Sequence, residues 1–122
     1  MHGKISLLFV YNLDSRILES LHDYSSGKGI TSEKNVCPLS TLTHSPVGIK
    51  KEWKRFVKDL TIPSRDLAKN EFTAEFGARP ITFPVVILKK EEELTVLASA
   101  EEIGRCAELG GLITILEERL HL

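Results

Sequence analysis

Phe83-Pro84-Val85-Val86-Ile87-Leu88, followed by Lys89-Lys90-Glu91-Glu92-Glu93, Leu94-Thr95-Val96-Leu97-Ala98 and Ser99, decides the fold. A proline has no N–H for a sheet ladder, so Pro84 belongs at the first residue of a strand or on an edge. The apolar run behind it reads as a buried strand. The glutamates form a charged turn, and the next apolar run reads as the returning strand, giving a hairpin of Val85–Lys89 with Leu94–Ala98. Ser99 and Glu102 have capping-box spacing for a helix carrying Ile103, Cys106 and Ala107. Gly110-Gly111 is expected to break that helix before a closing one with Leu112, Ile113, Leu116 and Leu120.

Towards the N-terminus, residues 4–11 are almost continuously apolar, the pattern of a central strand covered on both faces. Asn12-Leu13-Asp14-Ser15 then offers caps for a helix carrying Ile17, Leu18, Leu21 and Tyr24, which residues 25–29 end. Residues 30–45 read as a long loop with a short extended piece around Val36. Ser45-Pro46 is the expected start of the next helix, because proline suits a first turn whose N–H groups are unpaired. Ile49, Trp53, Phe56, Val57 and Leu60 make its apolar stripe, opposite the lysines. Leu60-Thr61-Ile62 suggests a short edge strand before Pro63. A helix over 67–76 follows, with Ala68, Phe72 and Phe76 on one side and Gly77 placed to end it.

The 122 residues make one domain, long enough to bury a core without disulfides or metals. Hydrophobic residues at 42% and charged residues at 27% are ordinary for a soluble globular chain. The net charge of -1 argues against general affinity for nucleic acid or anionic membrane. It is unevenly placed: residues 1–90 carry +5 and residues 91–122 carry -6. The basic excess includes Lys50, Lys51, Lys54, Arg55 and Lys58, a solvated helix face or a docking patch for an acidic partner. Two cysteines are too few for a disulfide framework, so reduced thiols in a cytosolic protein are expected. The apolar run at 5–11 lacks the flanks of a signal peptide, and no stretch approaches the ~20 residues of a membrane span.

A strand–helix–strand unit followed by an antiparallel hairpin and a helix gives an α/β domain with a mixed four-stranded sheet flanked by helices. The stretch Glu75-Phe76-Gly77-Ala78-Arg79-Pro80-Ile81-Thr82-Phe83-Pro84-Val85-Val86-Ile87-Leu88 resembles the part of thioredoxin-like proteins where a helix ends and the third strand begins. The resemblance covers about the last fifty residues. It implies a thioredoxin-like fold and a cis-proline, Phe83-Pro84, before the third strand. The first half departs from that pattern. Where the superfamily carries Cys-x-x-Cys or Cys-x-x-Ser after its first strand, this chain has Asn12-Leu13-Asp14-Ser15, which rules out ordinary disulfide exchange there.

Chemistry could instead rest on Cys37-Pro38-Leu39-Ser40, with His44 seven residues on as a base. The competing reading makes Cys37 a small apolar loop residue with no role. Val10-Tyr11-Asn12-x-Asp14-Ser15, Cys37-Pro38-Leu39-Ser40-x-Leu42-Thr43-His44 and Lys51-Glu52-Trp53 together resemble a family of small uncharacterised proteins. That family carries Cys-x-Leu-Cys-x-Leu-Thr-His/Tyr-Gly in this loop and Lys-x-Glu-Trp in the helix. Ser40 and Ser45 replace its second cysteine and its glycine, which argues against a dithiol or a two-cysteine metal role. Some of its members bear a GTPase label, but this chain has no phosphate-binding Gly-x-x-x-x-Gly-Lys-Ser/Thr.

Cys37 and His44 would supply two metal ligands where zinc takes three or four, and His2, His22 and His121 are scattered, so neither metal nor cofactor is expected. Cys106 reads as core filler and Trp53 as packing. Asp14 and Ser15 are either helix caps or, with Asn12, one wall of a ligand groove facing Thr82, Phe83 and Pro84. Backbone N–H groups at a helix start suit an anion, but Asp14 would oppose one, so a neutral or cationic group, or a peptide strand alongside the proline, would suit that groove better. Two functions follow: a binding module for a protein or peptide partner that kept the scaffold and lost the chemistry, or a thiol-dependent redox protein using Cys37.

Overall fold

The central strand is β1, Ile5–Tyr11, and its apolar residues divide between two cores. Leu7, Phe9 and Tyr11 enter one core, while Leu8 and Val10 enter the other, because successive strand side chains alternate faces. The structure, a computed structural model, describes residues 5–16, 37–45 and 48–120. The expected helix around 17–24, its stop at 25–29, the extended piece at Val36, Pro46 and the histidines at 2, 22 and 121 lie outside the described residues.

After β1 come α1 (Pro38–Thr43), the two-residue strands β2 (His44–Ser45) and β3 (Gly48–Ile49), and α2 (Lys51–Asp59). Then follow β4 (Ser64–Ala68), α3 (Lys69–Phe76), β5 (Val85–Lys90), β6 (Glu93–Ala98), α4 (Ala100–Arg105) and α5 (Leu109–Leu120). The main sheet has the order β4-β1-β5-β6. β4 runs parallel to β1 with Phe9 opposite Asp66. β5 runs antiparallel to β1 with Val10 opposite Val85, and β6 returns antiparallel to β5 with a register shift at Val86/Ile87. This is the mixed four-stranded α/β architecture expected from the hairpin and the apolar first strand. The Phe83–Pro84 peptide bond is cis, directly ahead of β5.

One face of the sheet is covered by Leu39 and Leu42 of α1, Trp53 and Phe56 of α2, Ile103 of α4, and Leu112 and Leu116 of α5. The other face is covered by α3 through Phe72, packed with Leu8, Val10, Leu67, Val85 and Ile87. Fully burying a side chain of this size stabilises by roughly 1.5–3 kcal/mol, so β1 and β5, buried on both sides, anchor the domain. No helix among the described residues is long and apolar enough to cross a membrane.

Several local expectations are corrected. Residues 38–43 form a helix inside the expected loop, because Leu39 and Leu42 both reach the core. The helix expected from Ser45 starts at Lys51, since 44–45 and 48–49 pair as a small ribbon, and Ile49 stands 41% exposed. The edge strand is Ser64–Ala68, not Leu60–Ile62. An amide–carbonyl bond of 2.9 Å from Leu7 to Pro63 starts the parallel ladder there, which also delays α3 to Lys69. Gly110 and Gly111 lie within α5; the break falls at Cys106–Glu108, where Cys106 caps α4. Cys106 is accordingly half-buried rather than buried, its thiol donating to the Glu102 carbonyl at 3.4 Å.

Candidate functional site

Beyond Tyr11 the chain leaves β1 through Asn12 and Leu13. The Asn12 N–H donates to Cys37 Sγ at 3.3 Å. Cys37 is 0% exposed and stands just ahead of α1, whose first residue is Pro38. The loop therefore brings the thiol to the carboxyl end of the central strand, inside the core. Ser40, in the place of a second cysteine, donates its hydroxyl to the Cys37 carbonyl at 2.9 Å and braces the first turn of α1.

His44 is also buried, at 7% exposure. Thr43 Oγ1 donates to the Leu39 carbonyl at 2.9 Å and lies 2.8 Å from His44 Nδ1 and 3.3 Å from the Tyr11 hydroxyl. With the Thr43 proton committed to Leu39, its oxygen accepts from the Tyr11 phenol and from a protonated Nδ1 of His44. The His44 and Tyr11 rings meet edge to face at 5.9 Å. Burial pushes the Tyr11 phenol well above its ordinary value, with the nearby Asp66 and Cys37 charges adding and the Thr43 hydrogen bond opposing. Cys37 and His44 thus both border Tyr11, and the His44 Nδ1 is engaged with a hydroxyl.

Asp14 accepts from the Arg16 N–H at 3.0 Å, a local turn that fits the capping reading. The Ser15 N–H donates to Asn70 Oδ1 at 2.9 Å, and Asn70 Nδ2 donates to the Ser15 hydroxyl at 3.2 Å. The Leu13 carbonyl accepts from the Lys69 N–H at 3.0 Å. These bonds turn the 12–15 segment towards the start of α3, on the β4 side of β1. Thr82, Phe83 and Pro84 lead into β5, the other neighbour of β1. Of the three, Thr82 is exposed, Phe83 is half-buried against Phe72 with ring centroids 5.7 Å apart, and Pro84 is buried.

An open groove runs beside Thr82. Pro80, Ile81, Val85 and Val96 line it on one side, and Ser99, Ala100 and Glu101 at the start of α4 on the other. Val96 on the edge strand β6 is 46% exposed. Sequence reasoning found Thr82 but not the β6 and α4 wall. Its signal was Val96 itself, a β-branched apolar residue next to the buried Leu97 on a strand that, among the described residues, pairs on one side alone. Among the described residues, no three His, Cys, Asp or Glu side chains converge as metal ligands.

No protein-family model matches the sequence, and no curated protein or solved structure matches it either.

Proposed function

We propose that the chain is a thioredoxin-like binding module that takes an extended protein or peptide segment in the groove beside Thr82 and Pro84. The strand order with one parallel neighbour of β1, a hairpin on its other side and Pro84 ahead of β5 supports the scaffold reading. The observation that carries the functional reading is the complete burial of Cys37. A sulfur nucleophile must be reached by its substrate, whereas the Thr82 groove is open and has an apolar floor with polar groups at its rim. Among the described residues β6 pairs with β5 alone, so its other side suits an incoming segment.

Alkylation of the native protein with iodoacetamide, read by mass spectrometry of its peptides, tests the choice. Cys106 is expected to be modified and Cys37 spared until the protein is unfolded. Amide shifts on adding peptides are expected to cluster at Thr82, Val96 and Ala100. Shifts elsewhere, or none with any peptide, would overturn the binding site.

A second reading is favoured by one contact. The Asn12 N–H aimed at Cys37 Sγ would stabilise a thiolate, which could attack a partner's disulfide, forming a mixed disulfide and releasing one partner thiolate, with His44 as the proton acceptor. Fast native alkylation of Cys37, and loss of insulin-disulfide reduction in Cys37→Ser, would establish this reading instead.

A further inference from the structure

Ile49 continues the apolar spacing of α2, four residues ahead of Trp53, yet it stands outside the helix and is 41% exposed. It forms one end of a groove with Trp53 and Val57 as its apolar floor. Lys54 and Lys58 rise from one wall, and Ser64 and Asp66 of the edge strand β4 form the other. Lys51 and Arg55 continue the cationic wall, and these two share a shallow depression with Lys54, Lys58 and Asp59. Lys51 lies three and four residues before Lys54 and Arg55, and these lie four and three before Lys58, so the four project from one side of the helix. None of the four has an ion pair among the described residues, although three other surface ion pairs form. The site is separate from the Thr82 groove: it lies at the β4 edge, and β1 and β5 stand between it and β6.

We propose that this groove docks a short acidic segment of a partner protein. A bulky apolar side chain of the segment covers Ile49 and Val57, and its carboxylates meet Lys54 and Lys58. Charge complementarity selects this occupant. The cationic face runs from Lys51 to Lys58 of α2, about 10 Å at 1.5 Å per residue. Glu52 and Asp59 on the same helix and Asp66 across the groove bound it. A duplex or an anionic membrane would press its charge on those carboxylates and on a chain of net charge -1. A short segment with few acidic residues reaches the lysines and avoids them. The apolar floor adds what a polyanion could not use.

Trp53 is the only tryptophan and lines the groove, so its fluorescence reports occupancy. Trp-free synthetic peptides are titrated into the full chain: acidic with leucine, acidic without an apolar residue, and basic with leucine. The acidic leucine peptide is expected to give a saturable shift that weakens as salt rises towards ~0.15 M. The basic peptide is expected to give none, and the purely acidic one to bind at least about tenfold more weakly. Lys54→Glu with Lys58→Glu, checked for folding by circular dichroism, should cost about tenfold or more, as should Ile49→Ser; Lys69→Glu on α3 should leave binding unchanged. Equal binding of the basic peptide, an unchanged affinity in the charge-reversed variant, or no saturable response would overturn the proposal. So would tighter binding of a DNA duplex or of phosphatidylserine vesicles than of the acidic leucine peptide.

Discussion

The phenol of Tyr11 is buried at the end of the central strand and gives its proton to Thr43, whose oxygen also meets His44. In the folded chain that phenol holds its proton beyond the ordinary range, burial being the main cause. In the unfolded chain it ionises near pH 10. The native state therefore binds more protons than the unfolded state once the pH passes about 10. Its contribution is complete below that point and is lost as the pH climbs further. Tyr11→Phe removes both the hydrogen bond and this linkage. Urea melts at neutral pH should show a loss of about 1 kcal/mol, while melts above pH 10 should show a shallower alkaline decline than the parent. Of the candidate catalytic pair, Cys37 and His44, the sequence supplied the residue types, and the loop does bring both beside Tyr11. Burial was not legible, because Leu39, Leu42 and Thr43 look like loop residues until they are packed on β1. The three-bond network is built from one proton each on Thr43, Tyr11 and His44, and no linear spacing encodes it.

The capping box of α4 joins local and distant chemistry. Ser99 Oγ accepts from the Glu102 N–H at 3.2 Å, and Glu102 accepts from the Ser99 N–H at 2.9 Å. Glu102 also pairs with Arg119 of α5, and Arg119 donates to the Leu97 carbonyl at 2.7 Å. Arg119 first, and the Ser99 amide second, pull the Glu102 carboxyl down to about 2. The stability this supplies is complete above the ordinary carboxylate range near pH 4.3 and drains away as the pH falls towards about 2. Glu102→Gln should flatten the acid limb of a stability–pH curve between those limits. Ser99→Ala should cost about 1 kcal/mol in denaturant melts at neutral pH. The box, the β5–β6 hairpin and the end of α3 at Gly77, where φ is +85°, were all legible, because each rests on short-range signals. β4 was not: Ser64-Arg65-Asp66 is polar, and only Leu67 and Ala68 are buried, so the segment is a strand through its pairing to β1 and not through its own propensity. α1 has no side-chain cap and six residues, too short to hold alone. Ile49 had the spacing of a helix stripe but was taken by the small ribbon ahead of α2.

The buried residues form two separate clusters, one on each face of the sheet. Ile103 belongs to the core under α1, α2, α4 and α5, Ile87 to the core under α3, and both are fully buried. If β1 and β5 act as rigid partitions, packing defects on the two sides should be felt independently. Ile103→Val and Ile87→Val each remove one buried methylene-sized group, at an expected cost of about 0.5–1.5 kcal/mol, small enough for the double variant to fold against the 5–15 kcal/mol typical of a domain. Urea melts of the parent, both single variants and the double variant close the cycle, and the coupling should stay within about 0.5 kcal/mol. A pair within one core, Ile103→Val with Leu116→Ala, should couple beyond that value. Coupling across the sheet as large as that within the core would mean that the central strands yield when either face is loosened. The Thr82 groove on the β6 side and the cationic groove on the β4 side are rooted in this same sheet. Their independence as binding surfaces therefore requires the cross-sheet cycle to close near zero.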